Sequence, residues 1–334
     1  HKTLRAHHTS VHEVCMSPDG MRAVSGSADG TIKVWNLLKN ECEKTLGPAT
    51  RRRHDRSVNA MAIANDGNHV ITGSSDKTID IWDLEEGRCR RTLGTVFAHE
   101  AAVNAVDLSA DGSRIVSASD DGMIKIWSTT ASKHLSEIGK HDYAHKTLRA
   151  HHTSVHAVCI SPDGKRAVSG CGDWASGSAE VWNLEYGDER TSAQWHDRRI
   201  EALTVAKDGT CALSADDQYL KLWDLNNFKC QKRIALLTGA EASKGVKSVA
   251  LSLNTRYAVS SGADCRIKIW NLETGQNVVH LMEDTIDYLR GALSPMVSTP
   301  DGRALITPVD QQRKIRIWDL KRLSFRDRED AFIE

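Results

Sequence analysis

The chain has 334 residues, with 44 basic against 44 acidic side chains and a formal net charge of zero. Hydrophobic residues make up 40% and charged residues 26%, a globular rather than disordered composition. Neutral charge argues against a dedicated phosphate-backbone binder, and no apolar run approaches the roughly 18 residues a membrane-spanning helix needs.

The eight Cys form no CxxC pair, and no Asn-x-Ser/Thr sequon occurs, so a reducing, cytoplasmic setting is expected. The chain begins at His1 rather than Met, and it is expected to be a piece of a longer protein. Aromatics are scarce, yet nine are Trp, against five Tyr and four Phe.

The elements follow one another as a repeat. Lys2-Thr3-Leu4 opens the chain as a short strand. An apolar run then leads to Asp19-Gly20, a tight-turn signal because Gly tolerates positive φ. The run TIKVW follows, ending at Trp35, and then KTL at 44–46. The same text returns down the chain. Asp-Gly recurs at 66–67, 111–112, 163–164, 208–209 and 301–302, and unit six has Asn254-Thr255 instead. Short β-rich runs end at Trp35, Trp82, Trp127, Trp182, Trp223, Trp270 and Trp318, with a mean spacing near 47. Within each run the alternation has period two, which is strand chemistry. Each unit therefore reads as four antiparallel strands. A lone sheet of that kind has open edges and two faces to bury, and radial repetition solves both problems.

On these Trp-ending runs and Asp-Gly turns, the sequence resembles the WD-repeat β-propeller family over essentially its whole length. The resemblance implies an all-β, seven-bladed propeller of four-stranded antiparallel blades over residues 1–322, with 323–334 a polar tail. It also implies that the outermost strand of the last blade comes from the N-terminus. Apolar anchors lie eleven residues after the Trp at Leu46, Leu93 and Ile234, but Glu329 stands at that offset after Trp318. Residues 1–5 are therefore expected to pair with the last blade. If 323–329 formed that strand instead, 1–5 would belong to a preceding blade of a longer array. Residues 1–26 and 145–170 match at 23 of 26 positions, closer than the fold requires, which reads as duplication or exchange among units.

Ser or Thr, His and Asp recur in fixed relation to the Trp. The sets are His7, Ser25, Asp29 and Trp35, then His54, Thr72, Asp76 and Trp82, then His99, Ser117, Asp121 and Trp127. Unit four has His151, Ser169, Asp173 and Trp182, with three extra residues after the Asp. Unit five has His196, Ser214, Asp217 and Trp223, one residue short. The residue types are those of a hydrolytic triad. However, a catalytic site is needed once, and these sets travel with an indole N–H that needs an acceptor. The resemblance implies a structural tetrad in each blade. Units six and seven lack the His (Ala242 and Leu289 stand there), so those blades are expected to be less rigid.

No catalytic residue, metal or cofactor is expected. The His7-His8…His12 and His151-His152…His156 runs leave only two His each once the tetrads are served. Cys15 and Cys159 read as small core residues, and Cys171 as exposed near a turn.

Function in such a scaffold falls on its loops. The resemblance implies contact positions three and five residues after the tetrad His and one before the tetrad Asp. The resulting candidates are His12, Asp120, His156, Arg199, Glu201, Asp216 and Lys247, with Trp174 in the blade-four insertion as the aromatic anchor. Trp195 is expected to pack inward. The reading is a non-catalytic scaffold or sensor that binds a protein or peptide, with an effector domain in the same full-length chain. A competing reading is a small-ligand or glycan binder, or a hydrolase, using the central channel. A third is nucleic-acid binding through Arg51–Arg53 and Arg198–Arg199, which predicts steep salt dependence.

Overall fold

The computed structural model describes residues 2–5, 7–47, 54, 56–94, 98–128, 146–149, 151–172, 177–184, 190–227, 229–236, 246–252, 255–262, 266–282, 297–298, 304–309 and 314–319. For 2–3, 5, 128, 190–195, 266, 279–282 and everything from 297 on, it describes the backbone alone.

All regular structure among these residues is β. Strand β1 (Lys2–Arg5) comes first. Blade one is β2 (Val11–Met16), β3 (Arg22–Ser27), β4 (Ile32–Asn36) and β5 (Glu41–Leu46). Blade two is β6 (Val58–Ile63), β7 (His69–Ser74), β8 (Ile79–Asp83) and β9 (Arg88–Leu93). Blade three is β10 (Val103–Leu108), β11 (Arg114–Ser119), β12 (Met123–Ser128) and β13 (Lys146–Arg149). Blade four is β14 (Val155–Ile160), β15 (Arg166–Gly172), β16 (Gly177–Asn183) and β17 (Arg190–His196). Blade five is β18 (Ala202–Val205), β19 (Cys211–Ala215), β20 (Tyr219–Asp224) and β21 (Cys230–Ala235). Blade six is β22 (Val246–Leu251), β23 (Tyr257–Gly262), β24 (Arg266–Asn271) and β25 (Asn277–Met282). The last strands are β26 (Val297–Ser298), β27 (Ala304–Val309) and β28 (Lys314–Asp319).

Each blade is an antiparallel sheet of consecutive strands, and the innermost strands lie side by side: β2 by β6, β6 by β10, β10 by β14, β14 by β18 and β18 by β22. This is a β-propeller. The Trp series predicts seven such units, but blades of four consecutive strands number six among the described residues. The run ending at Trp318 lies in a differently built sheet, ordered β1-β28-β27-β26, in which β26 has only two residues. The expected pairing of the N-terminal strand with that run is present, with Leu4 opposite Ile315 and Arg5 opposite Lys314. The identical strand text in β13 pairs with β12 in the same register, Leu148 opposite Ile124 and Arg149 opposite Met123. The expected tail, 323–334, lies outside the described residues.

The Asp-Gly turns set the first hairpin of each blade. Gly20 has φ 68°, and Gly67, Gly112, Gly164 and Gly209 lie within 2° of it. In blade six the place falls to Thr255 (φ 56°), a conformation a β-branched residue adopts at a cost.

The core lies between blades. From blade two to blade six, the blade's Trp seals the face of the blade before its own: Trp82 packs with Val24, Ile32 and Val34, and Trp127 with Ile71, Ile79 and Ile81. Trp182 packs with Val116, Ile124 and Ile126, and Trp270 with Leu213 and Leu220. Blades approach so closely that a Cβ added to Gly73 would meet Val103 Cγ1 at 2.6 Å and Val106 Cγ1 at 2.9 Å. No helix among the described residues is long and apolar enough to cross a membrane.

Candidate functional site

In blades one to five a Ser or Thr, a His and an indole N–H join in one hydrogen-bonded chain, which in blades two, three and five runs on directly to an Asp. In blade three, Trp127 Nε1 donates to Ser117 Oγ (2.9 Å), His99 Nε2 meets the same oxygen (2.8 Å), and His99 Nδ1 meets Asp121 Oδ2 (2.9 Å). Blade two repeats it: Trp82 to Thr72 at 3.0 Å, His54 to Thr72 at 2.7 Å and to Asp76 at 2.9 Å. Blade one inserts a hydroxyl. His7 Nε2 meets Ser25 Oγ (2.8 Å), the acceptor for Trp35 Nε1 (2.9 Å), but His7 Nδ1 meets Thr31 Oγ1 (2.8 Å). Thr31 in turn donates to Asp29, which lies 3.8 Å from the ring. Burial pushes Asp76 and Asp121 upward, yet the hydrogen bond and charge of the facing His outweigh it and hold both carboxyls at about 2.

In blade four, Trp182 donates to Ser169 (3.0 Å) and His151 Nε2 meets it at 2.9 Å, while Nδ1 meets Ser178 Oγ (3.3 Å). Asp173 and Trp174 lie outside the described residues. In blade six, Trp270 still donates to Ser260 (2.8 Å).

Blade five corrects the sequence-based assignment. Its Asp is Asp216, not Asp217: Asp216 Oδ2 lies 2.7 Å from His196 Nδ1, and His196 Nε2 lies 2.6 Å from Ser214 Oγ, to which Trp223 donates. Asp217 instead accepts from Arg198 Nη1 (2.7 Å). The turn here is one residue shorter, so the preceding Asp reaches the ring. Asp216 is consequently only 1% exposed and withdraws from the contact candidates. Cys171 is likewise buried, with Sγ 3.1 Å from Ser178 Oγ, rather than exposed.

Ser25, Thr72, Ser117, Ser169 and Ser214 are each 0% exposed. A hydroxyl sealed beneath an indole cannot reach a substrate carbonyl, so the triad-like residues serve as ties between loop and strand.

The contact candidates gather at the other end of these loops. Residues His12, Asn59, Asn104, His156 and Lys247 sit where the pairing of the innermost strand slips by one residue, between Val11 and Glu13, Val58 and Ala60, Val103 and Ala105, Val155 and Ala157, and Val246 and Ser248. Such a bulge re-aims one side chain out of the pleat. Here most reach the next blade. His12 Nδ1 meets Ser57 Oγ (2.9 Å), Asn59 Nδ2 donates to the Val103 carbonyl (3.0 Å), and Asn104 Nδ2 donates to that of Val155 (3.1 Å) and to Asp120 (2.6 Å). Glu201 is gripped from two blades, with Arg199 Nε donating to Oε1 (2.9 Å) and Lys247 Nζ to Oε2 (3.0 Å). Burial pushes Glu201 up, but these cations outweigh it and keep the carboxyl low.

His156 makes no hydrogen bond among the described residues. Burial, then the charge of Arg199, holds its imidazole below the ordinary value, and Glu201, Asp120 and Lys247 also act on it. The structure thus brings Asp120, His156, Arg199, Glu201 and Lys247 into one electrostatic cluster across blades three to six, whereas His12 lies between blades one and two. Arg51–Arg53 lie outside the described residues, as does the side chain of Trp195. Sequence reasoning missed Thr31 and Thr78, whose hydroxyls join the tetrads of blades one and two, and the buried Asp80 beside His54.

The profile of the family "WD domain, G-beta repeat" matches residues 1–36, 41–83, 87–128, 144–183, 189–224 and 231–271, which is most of the chain. The protein belongs to the WD40 repeat family. The matches number six, so they do not extend to the unit ending at Trp318. Among WD40 relatives, the chain is 26% identical over 144 residues to the target of rapamycin complex subunit LST8 of Bos taurus, covering 43% of this chain and 42% of that protein. It is 30% identical over 131 residues to the small ribosomal subunit protein RACK1y of Oryza sativa subsp. japonica (39% and 37%). It is 29% identical over 143 residues to the small ribosomal subunit protein RACK1 of Schizosaccharomyces pombe (41% and 43%). The matched part spans about two fifths of each relative's length.

Proposed function

We propose that this WD40 chain is a non-catalytic platform that binds a protein or peptide partner at the channel mouth between blades three and six. The observation that carries the reading is the cluster of Asp120, His156, Arg199, Glu201 and Lys247, in which charge from four blades converges on a half-buried surface. Arginine beside an aromatic is the usual anchor of a binding hot spot, and Trp174 supplies the aromatic in this proposal. The printed names of the relatives, a complex subunit and ribosomal subunit proteins, agree with a role inside assemblies. The proposal extends to a propeller domain over 1–322 with a polar tail at 323–334, and to an effector domain in the same cytoplasmic protein.

The test is a peptide-display selection against the purified chain, repeated with Arg199→Ala/Lys247→Ala. Selected peptides should bind the double variant at least tenfold more weakly, since each charged hot-spot contact contributes about 2 kcal/mol. Equal binding by both would refute the site. Saturable capture of a glycan or metabolite in place of any peptide would favour the channel reading.

A further inference from the structure

The tetrad of blade two differs from the others in what stands two residues before its Trp. Strands β4, β12, β20 and β24 carry Lys33, Lys125, Lys221 and Lys268 there, and β16 carries Glu180. Strand β8 carries Asp80. This carboxyl is 1% exposed, and among the described residues no donor reaches either oxygen within hydrogen-bond distance; the Thr92 hydroxyl and Cys89 thiol face it from farther off. Its Oδ2 lies 3.7 Å from His54 Nε2, while Asp76 Oδ2 lies 2.9 Å from Nδ1. The imidazole is therefore flanked by a carboxylate at each ring nitrogen.

We propose that blade two is fastened by an imidazolium: His54, clamped between Asp76 and Asp80, holds its second proton to a higher pH than a free imidazole does, and the loop it anchors loosens once that proton is lost.

The hydrogen-bond chain has room for that proton. With a neutral ring, the Thr72 hydroxyl donates to His54 Nε2. With the charged ring, Nε2–H donates to Thr72 Oγ1, and the hydroxyl turns to the Asp80 backbone carbonyl, 3.5 Å away. Trp82 Nε1 donates to the same oxygen in both states. Burial pushes the Asp80 carboxyl above its ordinary value, and the charge of His54 is the largest influence holding it ionised, so each group keeps the other charged.

The groups around the ring come from every neighbouring element. The turn after β7 gives Asp76 and Thr78, β7 gives Thr72, and β8 gives Asp80. Strand β9 gives Cys89 and Thr92, which face Asp80. Blade one contributes backbone, because its Gly30 turn packs so tightly that a Cβ there would meet the His54 carbonyl at 2.9 Å. Burial alone would drive the imidazole down, but the Asp76 hydrogen bond and the Asp80 and Asp76 charges outweigh it and raise it above its ordinary value. The opposite holds in blade one, where burial leads, Lys33 adds to it, and Asp29 only partly opposes. A raised imidazole contributes stability in full below pH 6.5, the unfolded value, and loses it as pH climbs through the folded midpoint. What loosens then is the joint between blades one and two, where Ser57 meets His12.

The experiment is imidazole NMR of the full chain over pH 5–9, with His54 assigned from a His54→Gln variant. The expected result is a His54 that remains doubly protonated at pH 6.5, and whose proton affinity falls about tenfold in Asp80→Asn. A singly protonated ring at pH 6.5, or an unchanged midpoint in Asp80→Asn, would overturn the proposal. Should Asp80→Asn fail to fold, Asp80→Glu keeps the charge, and blade four already holds Glu180 at this place. Loss of the raised midpoint in that variant would equally overturn it.

Discussion

His7 shows how burial alone can set the chemistry of a repeated side chain. It is 4% exposed, and desolvation, only partly offset by Asp29, drives its imidazole to about 4. The unfolded chain then binds a proton that the folded one refuses, so stability is lost as pH falls from 6.5 toward 4. Denaturant titrations between pH 4 and 7 should show this loss, and His7→Gln should flatten it. A wild-type chain that grows more stable over the same fall would count against this account. The tetrads were largely legible from residue types and spacing, because an indole donor, a hydroxyl, an imidazole and a carboxylate at fixed offsets leave one economical pairing. Blade five escaped because Asp216 and Asp217 are adjacent, and a turn one residue shorter decides between them. Asp80 escaped because its meaning lies in a cross-strand neighbour that sequence order does not reveal.

Packing between blades depends on strand positions that have no side chain to spare. Gly73 on β7 faces Val103 and Val106 of blade three. Gly73→Ala forces two valines to move and should cost about 1–3 kcal/mol, read as a lower denaturation midpoint at unchanged m-value. A neutral result would mean that the blades can part at this seam without penalty. Strand identity was readable from the period-two runs. The bulges were not drawn from them, although a signal exists: Val11 and Val14, Val58 and Met61, Val103 and Val106, and Val155 and Val158 are buried pairs three residues apart, which strict alternation forbids. That slip re-aims the first residue after Val11, Val58, Val103 and Val155 out of the regular pleat. Several positions expected to meet a partner therefore already hold the next blade.

Strand β1 ties the start of the chain to the sheet that packs beside blade one. Strand β1 contributes four residues to a sheet whose other strands come from the far end of the chain. Loss of residues 1–5 leaves β28 with an unpaired edge and separates the first blade from the last. The shortened chain should melt over a broader range and aggregate on heating, as followed by calorimetry and light scattering. An unaltered, sharp transition would show that closure does not depend on β1. The N-terminal origin of this strand was legible from the loss of the apolar anchor after Trp318. The number of complete blades was not, because a Trp-ending run marks one strand and says nothing of the other three.

Strands β1 and β13 share the text Lys-Thr-Leu-Arg and dock in one register on two different hosts, β28 and β12. In sequence the two hosts share an alternation of isoleucines, Ile315 and Ile317 in one and Ile124 and Ile126 in the other. A gene rearranged to start at Lys146 would present to β12 the clasp that now fastens β28. One strand text thus serves two hosts, once beside the strand that precedes it and once across the length of the chain.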